Sequence, residues 1–221
     1  MRAQVSVFML LGVLMLVGLL TVLAYVALIV TGTIADPFVA ADVTSYFNSC
    51  FEQALQCSLY EKGLSLELKE LSVLEREAQE VALSQFPVCV QNISRVFKGQ
   101  NIALQNGEQK ASLFFADMDT KLTLDSPAVV TIGKATKKIS GLVAEKPVAF
   151  ARMLETARSL NPGVDKIAPD DHVIEDLDDR YRVQFFEAAG GDVVVLRDTR
   201  SNITFRNPYT VVFRESAGTT Q

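Results

Sequence analysis

Residues 5–30 read VSVFMLLGVLMLVGLLTVLAYVALIV, and no charged side chain occurs between Arg2 and Asp36. At about 1.5 Å per residue, a helix over this run exceeds the roughly 30 Å hydrocarbon core of a bilayer. The apolar stretch of a cleaved signal peptide is shorter, about 7–15 residues, although Ala24-Tyr25-Val26-Ala27 offers an A-x-A match inside the run. The run therefore predicts a retained transmembrane helix within residues 1–35, with residues 5–30 in the lipid bilayer.

The charges that flank this run predict its orientation. Arg2 and the free amino group precede it and Asp36 follows it. Because positive charge favours the cytoplasmic side, we expect a cytoplasmic N-terminus and an extracellular C-terminal domain at the cell membrane or cell surface. Two N-x-S/T sequons, at Asn92 and Asn202, fit an external domain as candidate glycosylation sites.

The rest of the chain is acidic. The protein has 221 residues and a net charge of −5, and without Arg2 the remaining 20 basic residues face 26 acidic ones. Nucleic-acid binding requires a basic footprint, so an acidic ectodomain argues against that class of partner. Ordinary fractions of apolar and charged residues likewise argue against collagen-like and disordered chains.

The ectodomain is expected to have an α+β fold, with helices in residues 36–100 and a mostly antiparallel, β-rich part in residues 101–221. Apolar residues at three- and four-residue steps predict helices over about residues 40–62 and 72–97. Asp42 or Thr44 is a candidate cap for the first helix and Gly63 suits its end, while Pro87 should end or kink the second. The alternating leucines of residues 64–68 fit either a short strand or a lead-in to the second helix.

Period-two patterns and turn residues predict one sheet covered by helices. Asn106-Gly107 favours a hairpin between the first two strands, and Gly190-Gly191 favours another between strands at 181–187 and 193–198. A short helix is predicted over residues 148–160, before the stop signal Asn161-Pro162-Gly163. The other strands are expected at residues 102–105, 110–115, 121–124, 128–132, 138–143 and 209–214.

The three cysteines are Cys50, Cys57 and Cys89. On one helix Cys50 and Cys57 are separated by about 10 Å, which exceeds the roughly 7 Å limit between α-carbons for a disulfide. Cys89 is able to reach either of them from a second helix, and each cysteine is also suited to a buried apolar position. Three cysteines and one histidine do not form a zinc-ligand cluster, and the sequence has no glycine-rich phosphate loop or dinucleotide fingerprint, so no metal and no cofactor is expected.

The first residues, Arg2-Ala3-Gln4-Val5-Ser6, resemble the class III signal of archaeal pilin-like proteins, in which a short basic leader precedes Gln-x-Ser and a long apolar helix. The resemblance implies cleavage between Ala3 and Gln4, with the helix left attached. Pilins often have Glu at the fifth mature position, where this chain has Phe8. That departure puts polymerisation in doubt and leaves targeting in place.

The layout also resembles single-pass surface proteins of small-genome archaea. The matching pieces are Ser49-Cys50-Phe51-Glu52, Pro87-Val88-Cys89 and Asp125-Ser126-Pro127-Ala128-Val129. The family has no established activity, so the resemblance implies location and architecture only. It favours a disulfide between Cys50 and Cys89, as does the position of Cys50 near the middle of its apolar stripe. Cys57 is then a buried free thiol or an intermolecular bridge.

Other polar clusters carry weaker functional hypotheses. The only histidine, His172, lies beside carboxylates and is a candidate base, but no nucleophile motif accompanies it. The six carboxylates of Asp170–Asp179 fit a hydrated loop better than a calcium site. Lys134, Lys137 and Lys138 fit an edge-strand guard better than a polyanion site. The juxtamembrane aromatics are expected to pack the sheet, or else to form a subunit contact; they are Tyr46, Phe47, Phe51 and Tyr60.

These observations favour a membrane-anchored structural or adhesive protein of the cell surface, without catalytic residues, that is a pilin-like filament subunit or homo-oligomer. The alternatives are a non-polymerising ectodomain that binds an envelope protein or glycan, and a membrane-tethered envelope enzyme centred on His172.

Overall fold

The computed structural model describes residues 2–31, 37–97, 102–106, 110–125, 128–160, 175–177, 180–186, 193–204 and 207–214. Within these residues the chain is α+β, as the sequence predicts. The helices are α1 (Arg2–Val30), α2 (Pro37–Leu64), α3 (Leu71–Val90), α4 (Ile93–Val96) and α5 (Phe150–Leu160). The strands are β1 (Ile102–Asn106), β2 (Ala111–Phe115), β3 (Thr120–Leu124), β4 (Ala128–Ile132), β5 (Ala135–Ile139), β6 (Leu142–Lys146), β7 (Glu175–Leu177), β8 (Tyr181–Phe186), β9 (Val193–Thr204) and β10 (Asn207–Arg214).

The strands form three antiparallel sheets, so the prediction of a single sheet is wrong. Their strand orders are β1-β4-β5, β2-β3-β6 and β10-β9-β8-β7. The chain leaves the first sheet after β1, builds the β2-β3 hairpin, and returns for β4 and β5. A period-two pattern identifies a strand and its buried face, but it carries no information about which strand lies beside it.

The hairpin predicted at Asn106-Gly107 is also wrong. β1 pairs with β4, with Ile102 opposite Ile132, and β2 pairs with β3, with Leu113 opposite Leu122. Gly107 itself lies outside the described residues. By contrast, β8 and β9 pair as the sequence predicts, with Phe186 opposite Val193, although the residues of their connection also lie outside the described part.

The strand predicted over residues 138–143 is instead the end of one strand and the start of another. β5 ends at Ile139 and β6 begins at Leu142, in a different sheet. Gly141 lies between them with φ +69°, a left-handed conformation that glycine adopts without steric cost. The alternating pattern therefore continues across the end of one strand and the start of the next.

α2 is longer than its apolar pattern indicates. It begins at Pro37, because proline fits the first turn of a helix, where its missing N–H has no intrahelical partner. Asp42 and Thr44 therefore lie inside the helix, and the capping role expected of them is wrong. The Thr44 hydroxyl instead donates to the main-chain oxygen of Ala40 across 2.9 Å. Gly63 lies within the last turn, since α2 ends at Leu64.

α3 contains Pro87 in its last turn and ends three residues later at Val90. The helix predicted to reach residue 97 is thus divided, with α4 following a short turn. Residues 66–70 form the lead-in to α3 and no strand. The main-chain N–H of Leu66 donates to the main-chain oxygen of Val212 across 2.9 Å, which ties this lead-in to β10.

The chain divides into two compact units, each assembled from separate stretches. The first unit contains residues Met1–Ser45, Asn92–Gly107 and Pro127–Ile139. Its buried apolar residues are Val43, Ile93, Val130, Ile132 and Ile139.

The second unit contains Tyr46–Gln91, Glu108–Ser126 and Ser140–Gln221. Stacked rings of Phe115 and Phe150, with centroids 4.2 Å apart, lie in its core. Tyr209, on β10, also packs against Phe150, with ring centroids 6.2 Å apart. Aromatic side chains from a strand, a helix and the last sheet thus share one interior.

Candidate functional site

The apolar helix α1 is the feature of the structure with the clearest functional meaning. Its segment Gly12–Val30 is the one helix among the described residues that is long and apolar enough to cross a membrane. None of that segment is buried against the rest of the protein; Leu16, for example, is 57% exposed. Length and composition of this kind fit either a membrane anchor or a signal sequence. Ala3 and Gln4, the residues of the expected leader cleavage, lie in the first turn of α1.

The disulfide-linked pair α2 and α3 follows this helix. The Sγ atoms of Cys50 and Cys89 are 1.99 Å apart and their α-carbons 5.6 Å apart, so the two favoured cysteines form a disulfide in this structure. Cys50 is fully buried, whereas Cys57 is partly exposed and is not bonded to another cysteine. The covalent link joins the middle of α2 to the last turn of α3.

Aromatic residues surround this link and pack between the two helices. Phe47 and Phe51 are buried and meet the ring of Phe86 on α3 edge-on, with centroids 6.2 and 5.4 Å apart. Because both rings are buried, they are not available for the expected subunit contact, and the expectation that they pack the sheet stays a prediction. The hydroxyl of Tyr46 donates to the main-chain oxygen of Cys89 across 2.8 Å, and Tyr60 is 38% exposed.

A charged cluster lies at the other end of the α2–α3 pair. The Glu77 carboxylate accepts hydrogen bonds from Lys62 and Lys69 across 3.0 and 2.7 Å. These bonds lower the pKa of Glu77 from 4.5 to about 2, because they stabilise its charged form. Arg158 on α5 donates to the main-chain oxygen of Lys69, so the cluster also ties α5 to the lead-in of α3.

A buried ion pair in the last sheet was not predicted from the sequence. Arg180 Nη2 donates to Asp198 Oδ2 across 2.8 Å, and Asp198 is completely buried. Burial alone raises the pKa of Asp198, but hydrogen bonds from Arg180, from Ser201 and from the main chain of Arg200 outweigh it and hold the pKa below its usual range. The aspartate is therefore charged in the folded protein at neutral pH.

The position of Asp198 explains why it is buried. Along β10, Pro208 pairs with Asn202 and the next residue, Tyr209, pairs with Asp198, so the register of β10 shifts past residues 199–201 of β9. The Asp198 carboxylate accepts from the Arg200 main-chain N–H across 3.0 Å and from the Ser201 hydroxyl. It thus satisfies polar groups that the bulge removes from the ladder. This geometry indicates a structural role.

The other described candidates from the sequence belong to different elements of the fold. Asn92 is exposed at the turn between α3 and α4, and Asn202 lies on β9. Lys134 is exposed in the turn before β5, and Lys137 and Lys138 lie on β5, an edge strand of its sheet, as an edge-strand guard requires. His172 lies outside the described residues, and of the acidic run only Glu175 and Asp176 are described, both on β7. Across the described part of the chain, no group of His, Cys, Asp and Glu side chains is arranged to hold a metal ion.

Comparison of the chain with protein-family models, with curated proteins and with solved structures found no match. The functional interpretation therefore rests on the apolar helix, the disulfide-linked helices and the distribution of charge.

Proposed function

We propose that the protein is a membrane-anchored surface protein, in which α1 remains in the bilayer and the residues after it fold outside the cytoplasm. The exposed apolar helix α1 carries this proposal. Leaving so many large apolar side chains in water is unfavourable by about 25 cal/mol for each Å² of apolar surface, so a partner phase must cover them. Lipid does so along the whole length of a helix of this kind.

The disulfide supports the external side for the folded part. Disulfides form and persist in oxidising compartments and are rare in the cytosol, where thiols are kept reduced. The disulfide between Cys50 and Cys89 in this structure agrees with folding of the helix pair α2–α3 outside the cytoplasm. The single arginine before α1 agrees with this orientation.

Within this class, two roles compete. A pilin-like filament subunit buries α1 against neighbouring copies, and the Arg2-Ala3-Gln4-Val5-Ser6 start favours this role. A non-polymerising anchor leaves α1 in lipid and presents the ectodomain to an envelope protein or glycan. Phe8, in place of the pilin glutamate, favours the anchor.

Membrane extraction and protease protection test the shared proposal. The untagged chain is expressed with its own N-terminus, and membranes are washed with alkaline carbonate. We expect the chain to stay in the membrane and its folded part to be digested from outside intact cells. Recovery of the chain in the wash contradicts anchoring, and digestion only after lysis contradicts the external orientation. Electron microscopy of sheared cells then separates filament from anchor.

A further inference from the structure

The two compact units differ sharply in charge. After α1, the first unit contains five basic and two acidic residues, a net charge of +3, in a chain whose total is −5. The basic residues are Arg95, Lys98, Lys134, Lys137 and Lys138, and the acidic ones are Asp36 and Asp42. The unit that contains the apolar helix is thus also the basic part of an acidic protein.

The β4–β5 hairpin of this unit is tied to the helix that follows α1. Lys137 Nζ donates to the main-chain oxygen of Ala40, in the first turn of α2, across 2.9 Å. α2 begins seven residues after the end of α1, a distance of at most about 25 Å for an extended chain. The segment between α1 and α2 is therefore short, and it keeps the hairpin close to the point at which α1 leaves the bilayer.

Two lysines of the hairpin face outward. Lys134 is exposed in the turn with Gly133, and Lys138 is exposed on β5. The strand alternates, so that Lys137 and Ile139 point to the inner face while Thr136 and Lys138 point to the outer one. The outer face of this sheet has no carboxylate among its described residues, which are Ala103, Gln105, Val129, Thr131, Thr136 and Lys138.

We propose that Lys134 and Lys138 bind the phosphate groups of anionic lipids at the surface of the membrane that α1 enters. This inference rests on the proposed anchoring by α1, and it adds an interaction surface for the lipid headgroups. An ammonium group near an anionic membrane surface contributes roughly a fivefold gain in binding, and the gain falls off within a Debye length of about 8 Å. The hairpin would then fix the ectodomain at the bilayer rather than leave it on a free tether.

Lysine reactivity in reconstituted membranes tests the proposal. The full chain is inserted in vesicles of phosphatidylcholine alone, or with about one-quarter phosphatidylglycerol, and is treated briefly with an acetylating reagent. Mass spectrometry reads the rate at each lysine, and Lys110 and Lys121, both exposed in the second unit, serve as internal controls. We expect acetylation of Lys134 and Lys138 to slow by roughly fivefold with phosphatidylglycerol and to recover at about 1 M salt, with the controls unchanged.

Other outcomes overturn the inference. Equal rates in the two kinds of vesicle, with the chain inserted, refute headgroup binding and leave anchoring intact. Slow acetylation of Lys134 and Lys138 to the same extent in both kinds of vesicle, increasing with the number of protein molecules per vesicle, indicates contact with the acidic unit of a second copy. Failure of the chain to resist carbonate extraction from either vesicle refutes anchoring, and the headgroup inference fails with it. The Lys134→Gln/Lys138→Gln chain and its control, Lys110→Gln/Lys121→Gln, should insert into vesicles equally well. The first variant should bind anionic vesicles no better than neutral ones, whereas the control should still bind anionic vesicles better.

Discussion

The hydroxyl of Tyr209 donates a hydrogen bond to the main-chain oxygen of Leu59 across 2.8 Å, joining β10 to α2 over 150 residues of sequence. Burial raises the pKa of this hydroxyl far above its usual value, so it remains protonated. The acceptor is a carbonyl near the C-terminal end of α2, and the Tyr209 hydroxyl lies beside Gly63. β10 thus packs against α2, the helix that begins just after the apolar segment.

Removing this bond should destabilise the ectodomain. In Tyr209→Phe one buried hydrogen bond to the Leu59 oxygen is lost, so we expect the free energy of unfolding to fall by about 0.5–1.5 kcal/mol. Chemical denaturation followed by circular dichroism measures the change. Tyr60→Phe, at a side chain that is 38% exposed, is the matched control and should change stability little. Equal effects of the two substitutions would contradict a special role for Tyr209.

Gly63 is expected to tolerate no side chain. A Cβ atom there would lie 2.7 Å from the main-chain oxygen of Thr210 and 2.9 Å from the Tyr209 hydroxyl. Because the nearest obstacle is backbone, Gly63→Ala should push β10 away from α2 and cost about 1–3 kcal/mol. Gly18→Ala, where no atom lies within 4 Å, is the control. A Gly63→Ala protein as stable as the parent, despite the higher helix propensity of alanine, would show that β10 moves freely.

The disulfide should stabilise the helix pair α2–α3. Cys50 and Cys89 are 39 residues apart in sequence, and a loop of that size corresponds to about 3–4 kcal/mol in the chain-entropy model. Denaturation with and without reductant, and of Cys50→Ala/Cys89→Ala, measures the contribution. Cys57→Ala should retain the full effect of the reductant, because its sulfur belongs to no disulfide in this structure. Loss of the reductant effect in Cys57→Ala would mean that Cys57 is one of the bonded cysteines.

Glu77 should make stability depend on pH in the acidic range. Its pKa in the folded protein is about 2, against 4.5 ordinarily, so the folded state binds this proton less readily than the unfolded state. The stabilisation is therefore present above about pH 4.5 and is lost as the pH falls toward 2. In Glu77→Gln the dependence on pH over this window should be shallower than in the parent. Glu80→Gln, an exposed site on the same helix, is the control, and an identical pH profile for Glu77→Gln and the parent would contradict the role of the two lysines.

Breaking the ion pair under the β9 bulge should be among the most damaging single changes. Arg180→Met leaves the buried Asp198 carboxylate without its partner, which costs about 3–5 kcal/mol in comparable buried pairs. Arg197→Met removes the same charge from an exposed position on the adjacent residue and should cost little. In addition, Arg180→Met/Asp198→Asn should be less destabilised than Arg180→Met. A double variant no more stable than the single one would contradict the account of an uncompensated charge.

The local sequence predicts much of this fold, because periodicity reports which face of an element is buried. It gives the apolar helix, the strand at 128–132, and the α5 helix to within two residues. Strand pairing cannot be predicted in this way, because β1 pairs with β4, whereas β2 and β3, which lie between them in the sequence, belong to another sheet. The strong Asn106-Gly107 turn signal describes local backbone preference, and the pairing of β1 with β4 overrides it.

The Arg180–Asp198 pair illustrates why the polar sites could not be found from the sequence. In the strand that reads VVVLRDTR from Val193, the aspartate falls among charged residues that are typical of an exposed strand end. Its burial depends on a three-residue register shift between β9 and β10, which leaves no mark in the local pattern. In the same way, the link between Lys137 and Ala40 joins residues 97 positions apart, so only the fold shows that the basic hairpin belongs with the start of α2.

The intact mass of the unreduced chain, purified from carbonate-washed native membranes, tests the central claim most directly. We predict a membrane-bound chain that retains residues 5–30 and has the two-dalton deficit of one disulfide. Loss of residues 1–3 alone would show in addition that the leader is cleaved as in pilin-like proteins. A soluble chain that lacks the apolar segment would contradict it, because α1 would then be a signal sequence and the folded part a secreted protein.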